Sequence, residues 1–129
     1  MKLKLTLLLL IAALALAGCA RASDQIAGGD VAITLATQPD PAVVGDATLI
    51  ITLADADGNP IEDAALNVKG DMNHAGMVPV LAEASGGPAG VYDLPFEWTM
   101  PGDWIVTVEA TLPDGSTAVE RFELSVESG

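Results

Sequence analysis

The chain has 129 residues, with five Lys or Arg against eighteen Asp or Glu and a formal net charge of −13. That length holds one domain and not comfortably two, and so acidic a chain repels nucleic acid and anionic lipid headgroups. A single cysteine allows no intrachain disulfide.

Lys2 and Lys4 give the chain a basic start, and residues 5–17, LTLLLLIAALALA, are apolar save for Thr6. This run is too short to cross a bilayer core, which takes roughly 20 helical residues. A basic start, a short apolar stretch and then small residues make residues 1–18 a cleaved export signal. The segment LAGC, residues 16–19, resembles the lipobox of bacterial lipoproteins, whose cysteine takes a diacylglyceryl group and becomes the first residue after cleavage. The resemblance implies lipidation at Cys19. Several acyl chains anchor stably where one is marginal, so the protein is expected on a cell membrane, lipid-anchored and extracytoplasmic, without spanning it. Loss of Lys2 and Lys4 leaves three basic residues against eighteen acidic ones, a net charge of −15. With Cys19 acylated, no thiolate remains for a metal. Residues 19–29 are small and polar with a Gly pair and read as a tether. Its root-mean-square reach of roughly 17–19 Å keeps the domain close to the bilayer.

Residues 30–129 form the domain. Alternating runs rich in β-formers recur along it: VAITLAT, ATLIITLA, AALNVKGD, MVPVLAEA, VYDLPFEW, WIVTVEA and AVERFELSV. Turn signals such as DADGNP, SGGPAG, TMPGD and TLPDGST separate them. No stretch carries a helical period. Seven short strands with Pro/Gly turns predict an all-β fold, an immunoglobulin-like β-sandwich. Trp104, Val106 and Val108 alternate with Ile105, Thr107 and Glu109, as Phe122, Leu124 and Val126 do with Glu123 and Ser125, so each strand buries one face. Pro79 and Pro95 each lack a ladder donor, which sends their strands to a sheet edge or a bulge.

Most catalytic classes drop out. Asp55, Asp57 and Asn59 stand at the first, third and fifth positions of a calcium loop, but Pro60 and Leu66 occupy the places that need Gly and a bidentate Glu. The segment reads as a turn. His74 is the sole histidine, and no serine sits in an elbow motif that could pair with it. No Gly-rich phosphate loop is present. The chain does not read as an enzyme.

What remains is KGDMNHAGMVPV, residues 69–80. His74 is flanked by two methionines, in the spacing Met72-x-His74-x-x-Met77. Thioether sulfur and imidazole nitrogen suit Cu(I), and methionine neither needs deprotonation nor forms disulfides in an oxidising exterior. Met100, in the turn WTMPG, adds a further sulfur if that turn folds near the loop. The alternative is that Met72 and Met77 fill gaps in the sandwich core, as methionine does, and that His74 is a surface residue.

The segment HAGMVPV…GVYDLPFEWTMPGDWIVTV resembles the YtkA-like domain family, which is similar to the FixH-like proteins. The pattern is a Met/His loop, here Met72, His74 and Met77. A Gly-x-Tyr strand follows, Gly90 and Tyr92, and then Met-x-Gly-x-Trp, Met100, Gly102 and Trp104. The resemblance covers about residues 30–126. It implies an immunoglobulin-like sandwich of an exported bacterial protein, often a lipoprotein, and an association with copper handling and cytochrome oxidase assembly. Two functions from different classes follow. One is an accessory lipoprotein that holds Cu(I) through Met72, His74, Met77 and Met100, for buffering or for delivery to a copper-receiving envelope protein. The other is a metal-free sandwich that mediates protein–protein interaction in the envelope through its strand edges.

Overall fold

The computed structural model describes residues 30–74 and 76–129. The export signal, Cys19 and the tether lie outside the described residues. Seven strands follow one another: β1 Ala32–Gln38, β2 Gly45–Ala54, β3 Ala65–Met72, β4 Val80–Ser85, β5 Val91–Trp98, β6 Gly102–Thr111 and β7 Thr117–Val126. Among the described residues the helical content is one 3-10 turn, Pro88–Gly90.

The strands form two antiparallel sheets, ordered β1-β2-β5 and β4-β3-β6-β7. Hairpins join β1 to β2, β3 to β4 and β6 to β7, whereas the β2–β3, β4–β5 and β5–β6 connections cross between sheets. This is the expected immunoglobulin-like sandwich. Relative to the constant-type arrangement, in which the fourth strand lies beside the fifth, β4 here has joined the sheet of β3. Both proline-marked strands are edges, as expected. Pro95 lies within β5, the outer strand of the three-stranded sheet, and Pro79 immediately precedes β4, the outer strand of the other.

Most strand bounds shift by one to three residues from the sequence reading, and two of the shifts bear on the Met/His loop. β3 runs one residue further, to Met72. β4 starts at Val80 rather than Met77, because Pro79 has no N–H to give the ladder and pairing opens at Gly70–Val80.

The alternation becomes a core. Leu49, Ile51 and Leu53 of β2 and Leu94 and Trp98 of β5 face Leu66 and Val68 of β3 and Trp104, Val106 and Val108 of β6, all essentially without solvent exposure. The aromatics cluster at one end. Phe96 meets Trp98 edge to face at a centroid distance of 4.8 Å, and Trp98 meets Trp104 from the opposite sheet at 5.1 Å, the arrangement ring quadrupoles favour.

Polar contacts fix the turns. The carboxylate of Asp55 accepts the backbone N–H groups of Asp57 and Asn59, each at 2.9 Å. Hydrogen bonding, first from the Asn59 N–H, holds the Asp55 carboxyl below its ordinary value. The stretch is thus the Asp-capped turn that the sequence suggests. In the β6–β7 hairpin Asp114 accepts from the hydroxyl and the N–H of Ser116, and Gly115 takes a φ of 86°, the left-handed region that glycine enters without penalty.

Tyr92 ties a crossover to the core. Its hydroxyl donates to Ile61 O at 2.7 Å and accepts from Ala64 N at 3.1 Å, so β5 clamps the segment that carries the chain from one sheet to the other. Gly90, two residues earlier, leaves no room for a side chain: a Cβ there would lie 2.6 Å from Leu53 O. The Gly-x-Tyr pair is therefore a close approach followed by a clamp. Tyr92→Phe keeps the ring but leaves a buried donor and an acceptor unpaired, a cost of about 1–3 kcal/mol. Urea unfolding should show that loss, and a difference near zero would mean that the hydroxyl holds nothing.

Candidate functional site

The strand registers divide the sandwich into two ends. At one, the entry end, the chain arrives at Asp30 and begins β1. At the other, the far end, lie the close of β3, the start of β4, the close of β5 and the start of β6, since Gly70 pairs with Val80, Met72 with Trp104 and Gly102 with Val126. The Met/His loop, residues 73–79, and the β5–β6 turn, residues 99–101, are both at the far end. The sequence expected this convergence only conditionally.

The candidate side chains have different fates there. Met72 is 8% exposed and belongs to the core. It continues the inward phase of Leu66, Val68 and Gly70, a signal legible in the alternation once β3 is extended by one residue. Its terminal methyl lies against the start of β6, where a Cβ added at Gly102 would come within 2.9 Å of Met72 Cε. His74 is exposed. Met77 is half-buried and packs on the core. Met100 is 41% exposed, and its carbonyl accepts the indole N–H of Trp104 at 2.9 Å. Any residue could supply that carbonyl, so the hydrogen bond does not account for a methionine at this position. All three methionines after Met1 thus lie at the far end with the one histidine.

The Met-x-Gly-x-Trp segment has a structural rationale of its own. Met100 O holds the Trp104 indole, Gly102 sits at a φ of 125° against Met72, and Trp104 fills the core. Among the described residues no group of three or more His, Cys, Asp or Glu is placed to hold a metal ion. Beside the loop, on the outer face of β6 and β7, is a groove of about 520 Å³ whose lining includes Asn73, Asp103, Glu123 and Ser125. Asp103 accepts the Ser125 hydroxyl at 2.6 Å. The surroundings are acidic.

The YtkA-like family model matches residues 27–109, a span that includes the loop, the Tyr92 clamp and the Met100 turn. The chain belongs to the YtkA-like family. Among solved structures, this YtkA-like chain is similar to the soluble domain of PmoD from Methylocystis sp. ATCC 49242 (Rockwell), at 16% identity and a TM-score of 0.49, over 79% of this chain and 95% of that one. No curated protein matches it.

Proposed function

We propose that the protein is an extracytoplasmic lipoprotein, anchored by lipid at Cys19, whose YtkA-like domain binds Cu(I) at the far end for buffering or for delivery to an envelope protein, in the setting of cytochrome oxidase assembly. The observation that supports this reading is that Met72, His74, Met77 and Met100 all lie at one end of the sandwich, with Met100 exposed where only its carbonyl has a structural use. The donor chemistry fits a soft ion. Thioether and imidazole accept Cu(I), while Zn(II) favours thiolate, imidazole and carboxylate. His74, Met77 and Met100 are reachable from solvent, whereas Met72 is largely buried.

A Cu(I) competition titration on the domain starting at Ala20 tests it. His74→Ala and Met77→Leu should each weaken binding at least about tenfold, a change of about 1.4 kcal/mol. Cu(I) should be favoured over Zn(II). Imidazole ligates only when unprotonated, so acid should weaken binding and leave a thioether contribution that does not depend on pH. His74 is exposed, so its removal should leave the melting midpoint nearly unchanged. Wild-type copper binding in both variants would sink the assignment. A Met77→Leu variant that loses stability and keeps copper would show that Met77 serves packing.

The anchor has its own check. Wild type should fractionate with membranes and carry acyl mass, and Cys19→Ala should be unprocessed or soluble. Identical fractionation without acyl mass in either would remove the lipoprotein half of the proposal and leave the copper half standing.

A second reading, a metal-free domain that binds an envelope protein, draws on the exposed apolar residues Val78 and Leu81 at the start of the edge strand β4. The two readings are compatible, since both place the working surface at the far end.

A further inference from the structure

The described residues show four exposed large hydrophobic side chains: Val78 at 81%, Leu81 at 73%, Met100 at 41% and Val91 at 37%. The first three lie at the far end, on or beside the Met/His loop, and only Val91 begins a strand at the entry end. Leu81 sits on β4 and Val78 just before it, at a sheet edge beyond which no further strand lies among the described residues. Exposed apolar residues gathered on one end, rimmed by charge, mark a contact surface. The rim is acidic. Asp46 and Glu97 pair in register next to Gly45 and Trp98, Asp71 and Asp103 flank the Met72–Trp104 pair, and Glu127 bonds to Val44. The one lysine near this end, Lys69, is 3.8 Å from Asp71.

Geometry adds a direction. The chain enters the described domain at Asp30, at the end opposite this surface. β2 and β6 each run ten residues between the two ends, about 33 Å at the usual rise per residue. Ten residues lie between Cys19 and Asp30, and even fully extended the eleven Cα-to-Cα steps span at most about 40 Å. A chain of that length holds the entry end toward its anchor. Pointing the far end straight at the bilayer requires this tether to stretch nearly straight along the domain, at a large cost in chain entropy.

We propose that the far end is a docking face turned away from the membrane, and that its partner is a water-exposed protein domain with an apolar contact patch inside a Lys/Arg rim. The inference rests on the proposed anchor at Cys19. It does not depend on whether copper binds. The net charge of −15 after removal of the signal selects a cationic partner by attraction, and the outward direction selects one that arrives from water. A face turned this way does not meet an acceptor site embedded in the same bilayer.

Orientation is read first. The chain from Cys19 onward is coupled through that cysteine to maleimide-lipid vesicles containing dansyl lipid, which makes the measurement independent of natural acylation. The comparison protein carries Cys19→Ser and Gly129→Cys. Gly129 lies beside Val44 at the far end, 3.4 Å from Val44 O to its added Cβ. Trp98 and Trp104, the two tryptophans of the chain, both mark that end. With the two anchors about 33 Å apart along the strands, energy transfer from tryptophan to dansyl lipid should be at least about twofold lower for the Cys19 anchor. Equal transfer, or more from Cys19, overturns the outward orientation.

The partner class is read in cells that make the protein. A photo-crosslinking phenylalanine analogue is placed at Val78 or, as the entry-end control, at Val91. The proposal expects a product from position 78, absent from position 91, with a protein whose water-exposed domain is net cationic. A product with lipid, with a membrane-embedded segment or with a second copy of this chain overturns it, as does crosslinking from 78 no stronger than from 91. Loss of copper binding with these two results intact would remove the metal and leave the docking face.

Discussion

Trp104→Ala should lower stability by about 3–5 kcal/mol, the range for an aromatic deleted from a core. Three losses coincide at this position. The side chain has no solvent exposure, so the deletion leaves a cavity between the sheets. It makes the edge-to-face contact with Trp98 that joins β6 to β5 across the core. Its indole N–H also holds Met100 O, which fixes the turn between those strands. Against a total stability of about 5–15 kcal/mol for an ordinary domain, the melting midpoint should fall sharply or the domain should fail to fold. Trp104→Phe separates the terms, because it keeps most of the apolar volume and removes the hydrogen bond. Trp98 is the internal comparison. Its indole nitrogen is buried without a hydrogen-bond partner, so Trp98→Phe gives up no such bond and should cost less than Trp104→Phe. Equal costs for the two Phe variants, measured by thermal or urea unfolding, would show that the Met100 bond contributes nothing.

Gly70→Ala should destabilise the domain by about 1–3 kcal/mol, the cost of overpacking a filled core. The backbone of Gly70 is ordinary β3 strand, so the penalty is not one of φ. A methyl group there would lie 2.6 Å from Phe96 Cζ and 3.3 Å from Trp104 Cε3. The Phe96 ring belongs to the aromatic cluster that also holds Trp98 and Trp104, and one ring cannot retreat without moving the next. An unchanged midpoint in Gly70→Ala would mean that the Phe96 ring swings aside freely. Phe96→Leu in the same background should relieve part of the strain, and that recovery distinguishes a clash from a general intolerance of β3.

Much of the fold was legible because its signals are local. Alternation with period two requires only that one face of each strand be wet, and residues 104–108 and 122–126 show it without reference to any neighbour. Proline at 79 and 95 marks edges because a missing N–H is a property of the residue itself. The turns at Asp55 and Asp114 use carboxylates bonded to backbone within four residues. The family resemblance was carried by the Met/His loop of Met72, His74 and Met77 and by Gly90, Tyr92, Met100, Gly102 and Trp104, and four of these have a physical reason in the fold that explains the residue type. Gly90 permits a close approach, Tyr92 clamps a crossover, Gly102 leaves space for Met72, and Trp104 fills the core.

The candidate site was less legible. Spacing alone put Met72, His74 and Met77 on the same footing, yet Met72 is core, Met77 half-buried and His74 exposed. Strand phase separates Met72 from the others, but only once β3 is known to reach it, and that boundary depends on its pairing with Trp104 on β6.

The sequence by itself determined the seven strands, their wet and dry faces, the turn chemistry and the acidic surface, since each follows from neighbouring residues and their intrinsic conformational preferences. Tertiary structure decided which sheet takes β4, which glycine faces an aromatic ring, and which loops share an end. Those outcomes depend on pairings between residues far apart in the chain, such as Met72 with Trp104 and Gly45 with Trp98. A period-two pattern says which face of a strand is buried and carries no information about which strand lies beside it. The meeting of the Met/His loop with the Met100 turn, opposite the end where the chain enters, is a product of that long-range pairing.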